Sequence, residues 1–258
     1  MAGGLFEGLV MLYTEKDWWC KHLFFVAFAI ITCLNELLKV SKNNASVEAS
    51  FEFWGGLLLL FLLVIIVMVV SGLFLLHFNH NCIKYFRKLA TVENKKALKK
   101  LPLMPYFDGH LFNHFGDWAC FSIAWFLFIL GFGIITLLIC LIPIVGLIAV
   151  PCVVILLTVA LPFVSARFAE DYKTEGNLNP SLVFSIFPKI WKPTLWLWVR
   201  FLLLYLAIGL IGLLPYWVIV SVSDVSTFVL SVIYAYIGLV MSYAYYYSIM
   251  YIYCENDV

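Results

Sequence analysis

Six apolar runs, each close to the length that crosses a lipid bilayer, constrain this fold more than any other feature of the chain. About 20 helical residues span the roughly 30 Å of hydrocarbon, and backbone groups in hydrocarbon must find partners within the segment, which favours helices. Only 12% of the 258 residues are charged. The sequence predicts an all-α, polytopic integral membrane protein with one membrane domain, 1–258. Its predicted transmembrane helices are 20–39, 54–77, 118–141, 144–166, 195–215 and 228–252.

The third and fourth predicted spans are separated only by the stretch CLIPIVG, in which Pro143 and Gly146 supply a turn. We expect a tight helical hairpin at this point. Pro151 and Pro162 lie within the fourth span. A proline there frees a backbone carbonyl and kinks the helix unless a neighbour satisfies it.

Basic residues fall on alternate connections between the spans. The 78–117 connection carries seven and the 167–194 connection four, whereas the 216–227 connection carries none. Positive loops are retained in the cytoplasm during membrane insertion, so both termini are predicted to be cytoplasmic. The seven basic residues of the first of these connections are Lys84, Arg87, Lys88, Lys95, Lys96, Lys99 and Lys100.

Apolar residues recur at helical spacing within the same basic stretch, with lysines between them. This pattern is typical of a helix in the headgroup plane, and a solvated extension of the second span is the alternative. The basic residues are first a topology signal and second a candidate surface for anionic lipid or a protein partner. Amphipathic cytoplasmic segments are predicted at 5–18, 80–117 and 167–194.

A weak internal repeat precedes the first, third and fifth spans. Each unit combines an amphipathic segment, an outward span and a returning span, so the fold is predicted as three hairpin-like repeats. The third unit keeps only the apolar spacing and the closing Trp191. The first two units match at Phe6, Glu7, Gly8, Asp17 and Trp18 against Phe107, Asp108, Gly109, Asp117 and Trp118.

The stretches CIKYFRKL and LPLMPYFDGHLFNHFGDW carry a family likeness. They resemble the connection between spans in a prokaryotic family, domain of unknown function 4013, and the likeness covers about residues 5–215. An acidic residue usually follows Leu-Pro in that family, but Leu103 and Met104 stand there in this chain. The resemblance implies a polytopic protein of a prokaryotic inner membrane and brings no catalytic residue. The matching residues are Tyr85, Arg87, Leu101, Pro102, Phe107, Asp108 and Gly109.

Signs of catalytic or metal chemistry are weak. The sequence contains no P-loop, no Gly-x-Ser-x-Gly elbow and no Rossmann glycine pattern, so neither catalytic residues nor a cofactor is predicted. Four histidines flank the basic stretch with Cys82 and two aspartates nearby, but their spacing does not demand a metal, and none is predicted. These are His77, His80, His110 and His114, with Asp108 and Asp117.

The sixth span is rich in tyrosine, and hydroxyl groups in hydrocarbon must find partners. Tyr236, Tyr243 and Tyr247 share one helical stripe and are candidates for a polar-lined groove, together with Arg200 on the fifth span. An interfacial belt with aromatic packing is the alternative for the tyrosines, and snorkelling to the membrane face is the alternative for Arg200.

These features predict a non-enzymatic membrane scaffold or accessory subunit that presents amphipathic cytoplasmic segments to a protein partner or to anionic lipid. The alternative is a carrier or chaperone for a lipid or small apolar molecule, and an open cavity would favour it. Membrane lipids and either a protein partner or self-association are the expected interactions. A net charge of +1 lacks the basic excess of a nucleic-acid binder.

Overall fold

The computed structural model describes residues 4–42, 50–91, 102–106, 109–173, 177, 179, 181–220 and 224–256. These residues form seven α-helices and one 3₁₀ helix, Gly109–Phe112, and include no β-strand. The helices are α1 (Leu5–Thr14), α2 (Trp18–Lys42), α3 (Ser50–Thr91), α4 (Phe115–Cys140), α5 (Pro143–Asp171), α6 (Ser181–Val220) and α7 (Asp224–Glu255). The all-α class is therefore confirmed for the described part of the chain.

Among the described residues, five helices are long and apolar enough to cross a membrane. Helix α2, which carries the first predicted span, is apolar over the shorter stretch Trp18–Cys33. The chain is thus a multi-pass membrane protein by the length and composition of its helices. The five apolar stretches are Phe61–Ala90 in α3, Phe115–Cys140 in α4, Val145–Asp171 in α5, Phe184–Ile211 in α6 and Phe228–Glu255 in α7.

Helices α4 and α5 form the expected tight hairpin, because only residues 141 and 142 separate them. The turn brings the two backbones close together, since a Cβ added at Gly146 would lie 2.7 Å from the Cα of Cys140. Pro143 lies in the first turn of α5, where its missing N–H costs no helical hydrogen bond. The helix continues through both of its interior prolines.

The basic stretch after the second predicted span begins as a direct continuation of α3. Ile83 and Phe86 are buried in the protein core, whereas the neighbouring Lys84, Arg87 and Lys88 are exposed. Of the two arrangements that the sequence left open, the helical extension is the one observed up to residue 91. Four predicted surface residues lie outside the described part of the chain: Lys95, Lys96, Lys99 and Lys100.

The six long helices meet at one end of the bundle, which we call the base. Helices α2, α4 and α6 begin there, and α3, α5 and α7 end there, joined by contacts such as that between Glu170 and Tyr253. In α3 to α7, the described hydrophobic side chains are buried only in the half nearer the base. The buried residues farthest from the base are Leu73, Trp125, Val159, Leu197 and Val240 in these five helices.

Helix α7 is the centre of this core and helix α4 is its edge. Helix α7 packs against α1, α2, α3, α5 and α6, whereas α5 is the main neighbour of α4. Beyond Trp125 no described side chain of α4 is buried, and most of its apolar side chains are exposed, with Phe126 63% exposed and Leu137 69% exposed. In a membrane this surface meets lipid or another protein.

The entries into α2 and α4, which the predicted repeat aligns, share one backbone feature at shifted positions. Asp17, directly before α2, and His114, directly before α4, have positive φ angles of 59° and 64°. The sequence repeat places Asp17 opposite Asp117, which lies beyond His114. The two units therefore differ at their entries, and the three-unit repeat stays a prediction. Its members Phe107 and Asp108, like Leu101 of the family motif, lie outside the described residues.

Candidate functional site

Glu15, in the turn between α1 and α2, holds several parts of the base together. Its carboxylate lies 2.7 Å from the Lys21 ammonium, and the two side chains are 7% and 2% exposed. It also accepts hydrogen bonds from the backbone N–H groups of Leu103 and Met104, the latter at 3.0 Å. The Lys21 ammonium lies 4.5 Å from the centroid of the Tyr106 ring. The ion pair therefore anchors the segment that follows the basic stretch to the start of α2.

A second polar junction joins the ends of α3, α5 and α7. The Glu170 carboxylate pairs with the Arg87 guanidinium and accepts a hydrogen bond of 2.6 Å from the Tyr253 hydroxyl. The Arg87 side chain is 55% exposed, so water screens the ion pair and its contribution to stability is small. The main effect of the junction is to set three helix ends at fixed positions.

Tyr172, which follows the last residue of α5, is the centre of a histidine cluster. Its hydroxyl oxygen lies 3.2 Å from Nδ1 of His77, whose Nε2 lies 3.1 Å from the carbonyl oxygen of Leu111. A carbonyl only accepts, so in the neutral imidazole Nε2 carries the proton and the Tyr172 hydroxyl donates to Nδ1. Burial raises the pKa of the Tyr172 hydroxyl, which keeps its proton in place at neutral pH.

Two further histidines adjoin Tyr172. The His114 ring stacks on the tyrosine ring with their centroids 4.1 Å apart and their planes at 3°. The centroid of the His80 ring lies 4.6 Å from that of Tyr172, and its Nδ1–H donates to the carbonyl oxygen of Ala169 at 2.6 Å. His114 Nδ1 is also 3.8 Å from a carboxylate oxygen of Asp117. One tyrosine thus gathers histidines from α3 and from the entry to α4.

A cavity of about 260 Å³ opens beside this cluster at the base of the bundle. We call it the histidine pocket. Its wall is built from α3, the segment after the basic stretch and the entry to α4, and the described lining contains no carboxylate. Its polar lining side chains are those of His77, His110, His114, Asn81, Asn113, Tyr106 and Tyr172.

The histidines and Cys82 are not arranged as a metal centre in the described residues, which contain no group of three or more His, Cys, Asp or Glu able to hold a metal ion. His77 and His80 direct one ring nitrogen each to a backbone carbonyl oxygen. Cys82 is fully buried in the core, and Asp108 lies outside the described residues. The sequence-based expectation that this protein holds no metal stays a prediction.

Two of the tyrosines that the sequence assigned to a groove are packed inside the core. Tyr243 is 5% exposed and Tyr247 is 1% exposed. The Tyr243 ring lies 4.7 Å from the Phe25 ring and 5.0 Å from the Phe78 ring, and the Tyr247 ring lies 4.9 Å from the Phe86 ring, measured between centroids. Around these two residues the space between helices is filled by aromatic side chains.

The other two candidate groove residues lie in different surroundings. Tyr236 is half-buried, and its hydroxyl lies 2.7 Å from Nδ1 of His22 and 3.0 Å from the Tyr13 hydroxyl. Arg200 is exposed on α6. Sequence reasoning did not identify His22, which is 3% exposed. His22 could have been noticed because it lies at the start of an apolar run, where a buried polar group must find a hydrogen-bond partner.

No family model, curated protein or solved structure matches this chain. The resemblance to domain of unknown function 4013 rests on the sequence motifs alone.

Proposed function

We propose that this protein is a non-enzymatic membrane scaffold or accessory subunit, which presents the basic and amphipathic segments at its base to a protein partner or to anionic lipid. The proposal includes six spans in three hairpin-like units, cytoplasmic termini, a prokaryotic inner membrane and a relationship to domain of unknown function 4013. It assigns the protein no catalytic residue and no cofactor.

The packing around Tyr243 and Tyr247 is the observation that carries the scaffold proposal. A carrier needs a cavity that buries most of its cargo. The aromatic rings around these two tyrosines instead lie 4.7–5.0 Å from them, and the Glu15 and Glu170 junctions tie the helix ends together. A packed aromatic core around Tyr243 and Tyr247 favours a scaffold over a carrier or chaperone for a lipid or small apolar molecule.

The length of α2 supports a sixth span. The helix has 25 residues, and at 1.5 Å per residue it reaches about 37 Å, which exceeds the roughly 30 Å of hydrocarbon. The base of the bundle carries the exposed residues Lys84, Arg87 and Lys88. They support a cytoplasmic location for the base, because positive loops are retained on that side of the membrane.

Single-cysteine labelling in intact cells tests this orientation. In a background without native cysteines, we expect Asn43→Cys to react with a membrane-impermeant maleimide, because residue 43 follows the predicted outward end of α2. We expect Lys95→Cys to react only after the cells are permeabilised. The reverse pattern would contradict the proposed topology.

Purification in native lipid discs tests the scaffold role. We expect a protein at a constant molar ratio, or enriched anionic lipid, to accompany the wild type and to be lost when Lys95, Lys96, Lys99 and Lys100 are replaced by glutamine. Each lysine near an anionic leaflet contributes on the order of 1 kcal/mol. Lys42→Gln, at the predicted outward end of α2, is the control and should retain the co-purifying protein or lipid. If the same protein or lipid still co-purified after the four substitutions, the basic segment would not be the binding surface.

A further inference from the structure

The proposed scaffold role does not involve the histidine pocket. The side chains that line this pocket favour one class of ligand. Its described wall presents imidazole, carboxamide and phenol groups and no carboxylate. These groups donate hydrogen bonds, and an imidazole also carries a positive charge once it is protonated. A small oxyanion is the ligand that such a wall suits, because hydrogen bonds between charged partners are the stronger ones.

The charges near the pocket favour an anion as well. His77, His114 and Lys84 are close enough to interact electrostatically with His80. Protonated imidazoles placed this close repel one another, and an anion bound beside His77 and His114, which both line the pocket, offsets that cost. The Asp117 carboxylate approaches His114, but it is 51% exposed, so water screens its opposing charge.

His77 and Tyr172 give the pocket a way to respond to an anion. When His77 takes up a proton from solvent, both ring nitrogens donate, Nε2–H to the Leu111 carbonyl oxygen and Nδ1–H to the Tyr172 oxygen. The Tyr172 hydroxyl hydrogen, which pointed at Nδ1 in the neutral state, then turns to another acceptor. One proton thus supplies a positive charge and a hydroxyl donor together. The other described titratable groups around this pair include Asp171 and Lys173, which flank Tyr172, and the Glu15–Lys21 ion pair beside Tyr106. They also include His80, Lys84, Tyr106, His110, His114 and Asp117.

The size of the pocket suits a small chemical group, which can belong to a larger ligand that extends outside. Its volume of about 260 Å³ is below the range of about 300–1,000 Å³ typical of sites for drug-sized molecules. We propose that the histidine pocket binds the phosphate group of an anionic ligand, through His77, His114 and Tyr172. The phosphate belongs either to a phospholipid headgroup or to a soluble phosphate monoester. This site is independent of the proposed scaffold function.

Nitrogen-15 NMR of the histidine side chains tests the site, because it reports the protonation of each imidazole directly. The protein is held in phosphatidylcholine nanodiscs at pH 6.0 and titrated with inorganic phosphate. We expect His77 to shift saturably toward the doubly protonated form. The dissociation constant should rise at least tenfold in Tyr172→Phe and in His114→Gln. Lys192→Gln, which removes a charge on α6, is the matched control and should bind as the wild type does.

A second arm separates the two sources of phosphate. Nanodiscs that contain phosphatidic acid should produce the same His77 shift without added phosphate if the ligand is a headgroup, and no shift if it is soluble. Tyr172→Phe removes one hydrogen bond to His77 and keeps the ring that stacks on His114, so the variant should stay folded, with only a small decrease in its unfolding temperature. The proposal is overturned if neither phosphate source shifts His77 in the wild type, or if both variants bind phosphate as tightly as the wild type.

Discussion

Replacing Glu15 by glutamine should lower the free energy of unfolding by about 3–5 kcal/mol, the usual cost of removing one partner from a buried ion pair. The substitution keeps the shape of the side chain but leaves the Lys21 ammonium, only 2% exposed, without a counter-ion. The backbone N–H groups of Leu103 and Met104 keep an amide oxygen as acceptor. The decrease in the free energy of unfolding therefore measures the effect of removing the negative charge. Equilibrium unfolding in mixed detergent micelles measures it.

Two further variants test whether the loss of stability is due to the unpaired charge of Lys21. Lys16→Gln removes a charge from an exposed neighbour and should change stability by no more than about 0.5 kcal/mol. Combining Glu15→Gln with Lys21→Met should recover much of the loss, because no unpaired charge then stays buried. If Glu15→Gln alone were as stable as the wild type, the ion pair would not anchor the base.

Replacing Phe74 by alanine should also cost about 3–5 kcal/mol, the range for phenylalanine deletions in a core. Phe74 is 1% exposed, and its ring centroid lies 4.6 Å from that of Phe24 and 5.9 Å from that of Tyr243. The deletion leaves a cavity that these rings fill only in part. The same unfolding measurement in mixed micelles gives the loss.

Phe126→Ala is the matched control because it deletes the same atoms from a side chain that directly follows the last buried residue of α4, Trp125, and is 63% exposed. It should change stability by no more than about 0.5 kcal/mol. Equal losses at the two positions would mean that Phe126 packs as a core residue does, which would contradict an exposed face of α4 outside the core.

The helical class was predictable because the bilayer sets the length of an apolar span, and the α4–α5 hairpin because proline and glycine mark turns. The start of α6 was not predictable from the sequence. The span was expected from residue 195, but the helix begins at Ser181 and continues through Pro188 and Pro193. Ile190 and Thr194 are fully buried on this part of α6, and such tertiary contacts outweigh the local tendency of proline to end a helix.

The candidate site was less accessible to sequence reasoning than the fold. The histidines stood out by their spacing, but the tyrosine that gathers them, Tyr172, lies 95 residues from His77 along the chain. Glu15 resembles the other charged residues before the first span, and its burial depends on Leu103, 88 residues away. Residue spacing within a segment predicts neighbours on one helix face. It contains no information about contacts between distant segments.

Because α7 lies at the centre of the core, the core cannot be completed until the last helix has been synthesised. His22 on α2 meets its hydroxyl partner, Tyr236, only after 214 further residues. At about 5–20 residues per second, the ribosome needs roughly 10–40 s to make that stretch. During this interval the earlier helices are in the bilayer without the helix that completes their core. The polar and aromatic surfaces that α7 covers in the finished protein therefore lack this partner until the seventh helix arrives.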